Sequence, residues 1–294
     1  MKISEVIEIC KKNSRGYGHI VEGKTRDKVL YGDTERECTG IVTTIYASVD
    51  VIKKAHELGA NLIISHEACF WNHGDRTDWL ADNKTFQYKK QLLDETGITV
   101  WREHDYIHAG ILHEGRWVDG IFYGLAEELG WTKYANPEVG RHQIPDHGDS
   151  SISEVFSPLV FDIPEIPARE VAQYLMEKMN LKGMKTMGDL EGNCKRICIP
   201  FHIIGMADNA ELQKIEEYDI DTILAMEITD YTVAIYIRDS AMAGRNKRVL
   251  AAGHFNIEEP GMKWFGEKHL PQLLPGMDIH FVQAGDSYNM IERV

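Results

Sequence analysis

Cysteine is scarce in this chain. Its 294 residues contain five cysteines, at positions 10, 38, 69, 194 and 198. They are too few and too scattered for the disulfide framework of a small secreted domain, so we expect a reducing, cytoplasmic environment. Cys194 and Cys198 have no second cysteine pair, and we expect buried thiols there rather than zinc ligands. Cys69 has no activating signature around it, which makes it a weak candidate for a nucleophile.

A net positive charge and long apolar runs are also missing. The formal net charge of -14 and the pI near 5.4 argue against nucleic acid as the main partner, because such binders need a basic face. No apolar stretch approaches the roughly 20 residues of a membrane span. The N-terminal stretch MKISEVIEICKK is too short and too charged for a signal peptide. Glycine-rich nucleotide loops and the GxSxG signature are absent, so chemistry through those motifs is not expected.

Strand and helix patterns alternate along the chain. In TGIVTTIYASVDVIKKAHELGANLIISHE, an apolar run, a helix capped by Ser48 and stopped by Gly59, and a second apolar run follow one another. A helix over residues 85–95, the strand ITVWRE, and the C-terminal segments DYTVAIYIRDSAMAG, KRVLAAG, IEEPGMKWFGEKHL and DIHFVQAG continue the pattern. It predicts two α/β domains with mixed, largely parallel sheets, the first completed by the C-terminal strands.

Histidines and carboxylates follow several of the predicted strands. Parallel sheets bind ligands at the carboxyl ends of their strands, so these positions are candidates for one site. Each also has an ordinary explanation, because polar residues commonly follow buried strands and His–Glu pairs one helical turn apart are frequent on solvated surfaces. The candidates are His66 and Glu67, His104 and His108, Glu227, and His254 with Glu258.

Three motifs in order carry a family resemblance. NLIISHEACFW, then HDYIH followed by VDGIFYGLAEELGW, then AGHFNIEEPGMKWF resemble the Nif-three-like dinuclear-metal-centre hexameric proteins, often labelled GTP cyclohydrolase 1 type 2. The resemblance covers roughly two thirds of the chain. It implies that the first domain, residues 1–135 plus 245–294, contains the metal site, with a second domain at 136–244. The turn-rich segment at residues 134–151 is a domain boundary or a long functional loop.

The resemblance also implies a ligand set for two divalent ions, with zinc, iron, manganese, cobalt and nickel all open. Two positions depart from the family: Glu67 stands where it has histidine, and His108 where it has aspartate. Together these exchanges keep three imidazoles and two carboxylates, which favours a retained site with Glu258 as the bridging ligand. We expect Glu227 to act as general base or to orient a ligand, and His104 to transfer protons. The implied ligands are His66, Glu67, His108, His254 and Glu258.

The resemblance implies an activity and an assembly. The expected activity is metal-dependent hydrolysis of a small molecule, a purine nucleotide or a related heterocycle, and the expected assembly is a homohexamer. A non-catalytic metal-binding or regulatory protein is the alternative. Aromatic side chains near the ligands, or Arg76 and Arg102 for an anionic group, are candidates for substrate recognition, with core packing as the other explanation for the aromatics. These aromatics are Phe70, Trp71, Trp79 and Tyr106.

Overall fold

A computed structural model describes residues 1–72, 74–141, 154–200, 203–204, 209–289 and 291. The α-helices, in chain order, are α1 (Ile3–Lys12), α2 (Val49–Glu57), α3 (Lys84–Thr96), α4 (Asp105–His108), α5 (Gly120–Glu128), α6 (Pro137–Gly140), α7 (Ala168–Met179), α8 (Asn209–Glu217), α9 (Val233–Met242), α10 (His254–Trp264) and α11 (Leu270–Leu273). A 3₁₀-helix covers Thr132–Tyr134 and a π-helix covers Phe265–His269.

The strands are β1 (Lys28–Tyr31), β2 (Ile41–Thr44), β3 (Leu62–Ser65), β4 (Thr99–Arg102), β5 (Ile111–His113), β6 (Arg116–Val118), β7 (Val160–Pro167), β8 (Lys185–Gly188), β9 (Asn193–Cys198), β10 (Ile203–Ile204), β11 (Thr222–Ala225), β12 (Glu227–Ile228), β13 (Arg248–Ala251) and β14 (Ile279–Phe281). None of the helices in the described part of the chain is long and apolar enough to cross a membrane.

The chain divides into two compact units. The first contains Met1–Gly124, Glu154–Phe156 and Gly261–Ala284. The second contains Leu125–Ser153, Ser157–Pro260 and Gly285–Val294. Each unit has its own sheet and its own hydrophobic core.

The sheet of the first unit has the order β1-β4-β3-β2-β14. β4, β3, β2 and β14 run parallel, and β1 is antiparallel at one edge. The expected C-terminal completion of this sheet is confirmed, because β14 pairs with β2. β3 has no exposed face: Leu62 and Ile64 enter one core and Ile63 enters the other, which explains why its sequence shows no polar alternation.

Local signals in the sequence predict the helices of this unit well. Ser48 caps α2, its Oγ accepting a hydrogen bond from the Val51 amide at 3.2 Å. α3 ends at Gly97, whose φ of +63° is a left-handed conformation that glycine adopts without strain. Both helices pack on the sheet through their apolar faces, with Val51, Ile52 and Leu93 fully buried.

The sheet of the second unit has the order β7-β9-β11-β13-β8. β9, β11 and β13 are parallel, whereas β7 and β8 are antiparallel edges. The segments AREVAQYLMEKMN and DYTVAIYIRDSAMAG contain α7 and α9, and TILAME contains β11. The segment KRICIPFHII contains the end of β9 and all of β10, and its residues 201–202 lie outside the described part.

The strand at KRVLAAG differs from the expectation. We placed it in the first domain, but β13 is a strand of the second sheet, between β11 and β8. Its residues pair in register with Thr222–Ala225 on one side and with Lys185–Gly188 on the other. An apolar strand pairs equally well with either sheet, so its sequence pattern does not select one. Of the polar segment 134–151, residues 142–151 lie outside the described part.

Candidate metal centre

The carboxyl ends of β3 and β4 hold the candidate site of the first unit. The two strands are parallel neighbours, so their ends lie at the same edge of the sheet. His66 directly follows β3, and the chain after β4 turns into the short helix α4 with His104 just before it and His108 as its last residue. The topology therefore places the side chains of two separate sequence motifs at one edge.

His66 is fully buried and held in one orientation. Its Nδ1 lies 3.0 Å from the backbone carbonyl of Glu103, and because a carbonyl only accepts, Nδ1 carries the proton. The other nitrogen, Nε2, then has the lone pair that a metal ion binds. Burial first, then the nearby His104 and His108, hold the pKa of His66 well below its usual value. His66 is therefore neutral at physiological pH, as a metal ligand must be.

His104 lies against His66. The two rings are stacked, with centroids 4.5 Å apart and planes within 14°. Nδ1 of His104 lies 2.9 Å from Oδ1 of Asp105. Burial opposes ionisation of Asp105, but hydrogen bonds from His104, the Arg26 amide and Thr25 outweigh it and lower the pKa of the carboxyl. Asp105 is thus an anion that accepts the Nδ1 proton, and His104 also has its lone pair on Nε2.

His108 completes the group. Its ring centroid lies 5.0 Å from that of His66 and 5.1 Å from that of His104. Its Nδ1 lies 3.2 Å and 3.1 Å from the two carboxylate oxygens of Asp119. Asp119 also accepts the amide protons of Ile121 and Phe122 at the start of α5, which holds the carboxylate in place. A carboxylate thus orients this imidazole too.

The three histidines fit a metal ion. One nitrogen from each of His66, His104 and His108 can be chosen so that all three lie within 4.8 Å of one another. In every ring Nδ1 faces an acceptor oxygen, and Nε2 has the lone pair. Imidazoles oriented by a carbonyl or carboxylate on the second nitrogen are the usual pattern around protein-bound metals. The group therefore could hold a metal ion.

Glu67 has a different partner. Its Oε2 lies 2.6 Å from NH2 of Arg102, whose side chain is fully buried. Arg102 also donates from Nε to the backbone carbonyl of His66 at 3.0 Å and lies 3.8 Å from Asp75. The carboxylate of Glu67 therefore neutralises a buried guanidinium, which reduces the charge that it can offer to a cation.

The second unit contains a group of its own. Glu227 opens β12, and His254 and Glu258 lie one turn apart in the first turns of α10. Nδ1 of His254 lies 2.5 Å from Oε1 of Glu227, and its Nε2 lies 3.1 Å from Oε2 of Glu258. Burial lowers the pKa of His254, but the hydrogen bonds with the two carboxylates more than offset this and raise it to about 10. Without a metal, His254 is thus an imidazolium between two carboxylates.

The structure thus brings some of the expected site residues together within each unit. His66 and His108 come together in the first unit, and His104, the predicted proton-transfer residue, lies close enough to both to be a candidate ligand with them. Glu227 contacts His254 as an orienting residue would. Burial raises the pKa of the Cys69 thiol to about 11, so this cysteine is a poor nucleophile. Phe70 and Tyr106 are core residues, whereas Trp71 and Trp79 are exposed.

Sequence reasoning missed the residues that orient the imidazoles. Asp119 and Asp105 are ordinary loop or cap aspartates by pattern, and the carbonyl of Glu103 has no signature at all. Asp105 was detectable in principle, because it is adjacent to His104. Asp119 was not, because only the hairpin of β5 and β6 brings the start of α5 back to α4.

Comparison with known proteins gives a consistent result. Residues 3–104 match the family model Duf34/NIF3 (NGG1p interacting factor 3). The chain is 23% identical to the GTP cyclohydrolase 1 type 2 homolog of Clostridium perfringens (strain 13 / Type A), over 100% of both proteins. It shares its fold with a Bacillus cereus protein related to NIF3 (TM-score 0.66, 14% identity, 99% of both chains). Staphylococcus aureus hypothetical protein SA1388 has the same fold (TM-score 0.63, 17% identity, 99% of both chains).

Proposed function

We propose that this chain is a divergent NIF3-like protein and a metal-dependent hydrolase of a small molecule. One observation carries the proposal: three imidazoles converge at a sheet edge, each with Nδ1 bound by an acceptor. Three histidines that hold an ion leave coordination positions for water and substrate. A divalent ion lowers the pKa of its bound water towards neutrality and so supplies hydroxide at physiological pH.

The protein's own groups prepare this chemistry. Because burial keeps His66 neutral, its lone pair is available without loss of a proton. The carboxylates of Asp105 and Asp119 accept hydrogen bonds from Nδ1–H of His104 and His108, which makes both rings more basic towards a cation. The ionised pair of Glu67 and Arg102 beside His66 supplies a fixed dipole at the same edge.

We also propose a second metal-binding group, formed by His254 and Glu258. A divalent ion held there would take the place of the proton on Nε2 of His254, while Glu227 keeps the ring in place through Nδ1. This follows the resemblance to dinuclear-metal proteins, as does the proposal that Glu67 is a ligand. Imidazole and carboxylate donors without thiolate suit zinc, iron, manganese, cobalt or nickel.

For the substrate we propose a purine nucleotide or a related heterocycle. The support is the name of the Clostridium perfringens relative, a GTP cyclohydrolase 1 type 2 homolog, which is 23% identical to this chain. Glutamate at position 67 and histidine at position 108 change the ligand set that the resemblance implies, so the proposal extends to substrates with a different ring system. We also propose that the protein is cytoplasmic and that it forms a homohexamer. Light scattering tests the number of subunits directly.

Metal loading of matched variants tests the proposal. Protein stripped with a chelator is reloaded with each of the candidate metals, and elemental analysis counts the ions before nucleotides, esters and amides are screened. His108→Ala and Glu258→Ala each change one group, and the exposed His56→Ala and Glu267→Ala serve as controls. We expect the first two variants to lose bound metal and turnover, and the controls to retain both.

Two results contradict parts of the proposal. If the wild-type protein binds no divalent ion, the metal centre is wrong. If it binds metal stoichiometrically but shows no metal-dependent turnover of any substrate class, it is a metal-binding or regulatory protein. The observation that favours this alternative is the ion pair of Glu67 with Arg102, which takes up part of the negative charge that Glu67 would offer to a catalytic ion.

A further inference from the structure

Two segments of the first unit hold each other through reciprocal hydrogen bonds. One is residues 25–27, before β1, and the other is residues 104–106, which contain the first turn of α4. The two are about 80 positions apart in sequence. An aspartate from each segment accepts the amide protons of the other. We call this arrangement the aspartate clamp, formed by Asp27 and Asp105.

Asp27 holds the backbone of the segment with the histidines. Its carboxylate accepts the amide protons of His104, Asp105 at 3.0 Å and Tyr106 at 2.7 Å. Asp27 is 4% exposed, so these bonds are shielded from water. One buried carboxylate with three amide donors determines where the chain leaves β4 and where α4 begins. The backbone position of both His104 and His108 depends on that point.

Asp105 acts in the opposite direction and also reaches an imidazole. Its Oδ2 accepts the Thr25 hydroxyl at 2.7 Å and the Arg26 amide at 2.9 Å, while its Oδ1 lies 2.9 Å from Nδ1 of His104. The Thr25 hydroxyl in turn accepts the amide of Asp27 at 3.0 Å. Asp105 is therefore anchored by one segment and determines the tautomer of a histidine in the other.

We propose that Asp27 and Asp105 are positioning residues that prepare the three-histidine group for its metal ion. The clamp sets the backbone that bears His104 and His108, and Asp105 keeps the proton of His104 on Nδ1 so that Nε2 has the lone pair. Metal binding then needs no reorientation of the ring and no tautomer change, which increases affinity. The inference is tested in two arms. The metal arm, which measures affinity, rests on the proposed function, whereas the tautomer arm, which locates the proton of His104, does not.

The tautomer arm uses metal-free protein. Nuclear magnetic resonance of the imidazole nitrogens, at alkaline pH where the rings are neutral, reports which nitrogen of His104 carries the proton. We expect the Nδ1–H form in the wild-type protein and a shift towards the Nε2–H form in Asp105→Ala, as expected for a histidine that loses its acceptor. Asp33→Asn is the matched control, because Asp33 is exposed and accepts a loop amide, that of Glu35.

The metal arm measures affinity by competition with a chromophoric chelator, and geometry by the visible spectrum of the cobalt-loaded protein. We expect Asp105→Ala and Asp27→Asn to weaken binding about 10- to 100-fold and to change the cobalt spectrum. Thr25→Val removes a single hydroxyl with little change in volume, and we expect a loss of about fivefold. This variant is informative even if the aspartate variants do not fold.

The outcomes separate the inference from the proposed function. If the wild-type protein binds no divalent ion, the proposed function fails, and the tautomer of His104 alone tests the clamp. If metal binds, but Asp105→Ala and Thr25→Val keep the wild-type tautomer, affinity and spectrum, the inference is wrong. A fall in melting temperature alone, with affinity and spectrum unchanged in the folded protein, also overturns it, because that describes a purely structural role.

Discussion

Nδ1 of His108 lies 3.1 Å from the carboxylate of Asp119, which also caps the next long helix, α5. The imidazole is thus attached to the start of a helix rather than to a loose loop. The carboxylate is 8% exposed, so water does not compete strongly for the bond. The family resemblance implies an aspartate ligand at the position of His108. In this chain an aspartate, Asp119, lies behind the imidazole of His108 instead.

Removal of the charge on Asp119 is expected to weaken metal binding. Asp119→Asn keeps an oxygen for the helix cap but lowers the basicity of His108, so we expect affinity to fall about 10- to 100-fold. Competition with a chelator measures the loss. Asp78→Asn, at an exposed aspartate, is the control. Equal affinity of Asp119→Asn and the wild-type protein would show that His108 does not bind the ion.

The ion pair of Glu67 and Arg102 predicts a stability effect. Glu67→Ala removes the carboxylate nearest to a fully buried guanidinium, and the carboxylate of Asp75 lies further away, at 3.8 Å. We expect the free energy of unfolding of the metal-free protein to fall by about 2–4 kcal/mol in chemical denaturation. Glu57→Ala breaks the exposed pair with Lys54 and should change it by less than about 1 kcal/mol. Similar small effects in both variants would contradict the pairing.

Gly253 controls the entry into α10. Its φ of +99° lets the chain turn from β13 into the helix that begins at His254, and an added Cβ would meet the Asn256 side chain at 3.2 Å. We expect Gly253→Ala to lower the free energy of unfolding by about 1–3 kcal/mol. In Gly140→Ala, the new Cβ meets only atoms 3.8 Å away, so little change is expected. Thermal denaturation compares the two variants.

His269 predicts a loss of stability in acid. It is 1% exposed, and burial together with His113 lowers its pKa from 6.5 to about 4. Below pH 6.5 the unfolded chain therefore binds a proton that the folded protein excludes, and stability falls until the pH reaches about 4. We expect this group to contribute on the order of 3 kcal/mol to the fall.

The variant His269→Gln tests this assignment. Glutamine keeps a polar group near Asn13, whose Nδ2 lies 2.8 Å from Nε2 of His269, but it does not titrate. Denaturation curves across this pH range should be flatter for the variant than for the wild-type protein. The buried His66 titrates in the same direction in both proteins, so only their difference reports His269. His56→Gln, on the exposed face of α2, should retain the full slope.

Much of the fold could be predicted from local signals. The Ser48 cap, the helix over residues 85–95 and the apolar run of β3 each have a cause within a few neighbouring residues, and the structure confirms them. The polar strand ends could be predicted for the same reason, because a buried strand that is followed by His66 or His104 indicates the edge of a sheet. The sheet to which β13 belongs was not visible, because an apolar strand does not encode its partner.

The sequence by itself determined the element types, the order of the strand ends and the histidines available for metal binding. Only the tertiary structure decided that His104 joins His66 and His108, that Glu67 meets Arg102, and which oxygens orient each ring. The physical reason is the sequence separation over which each kind of interaction acts. Caps and periodicity act over a few residues, whereas the site depends on hydrogen bonds between residues up to 80 positions apart, which exist only after the sheet has formed.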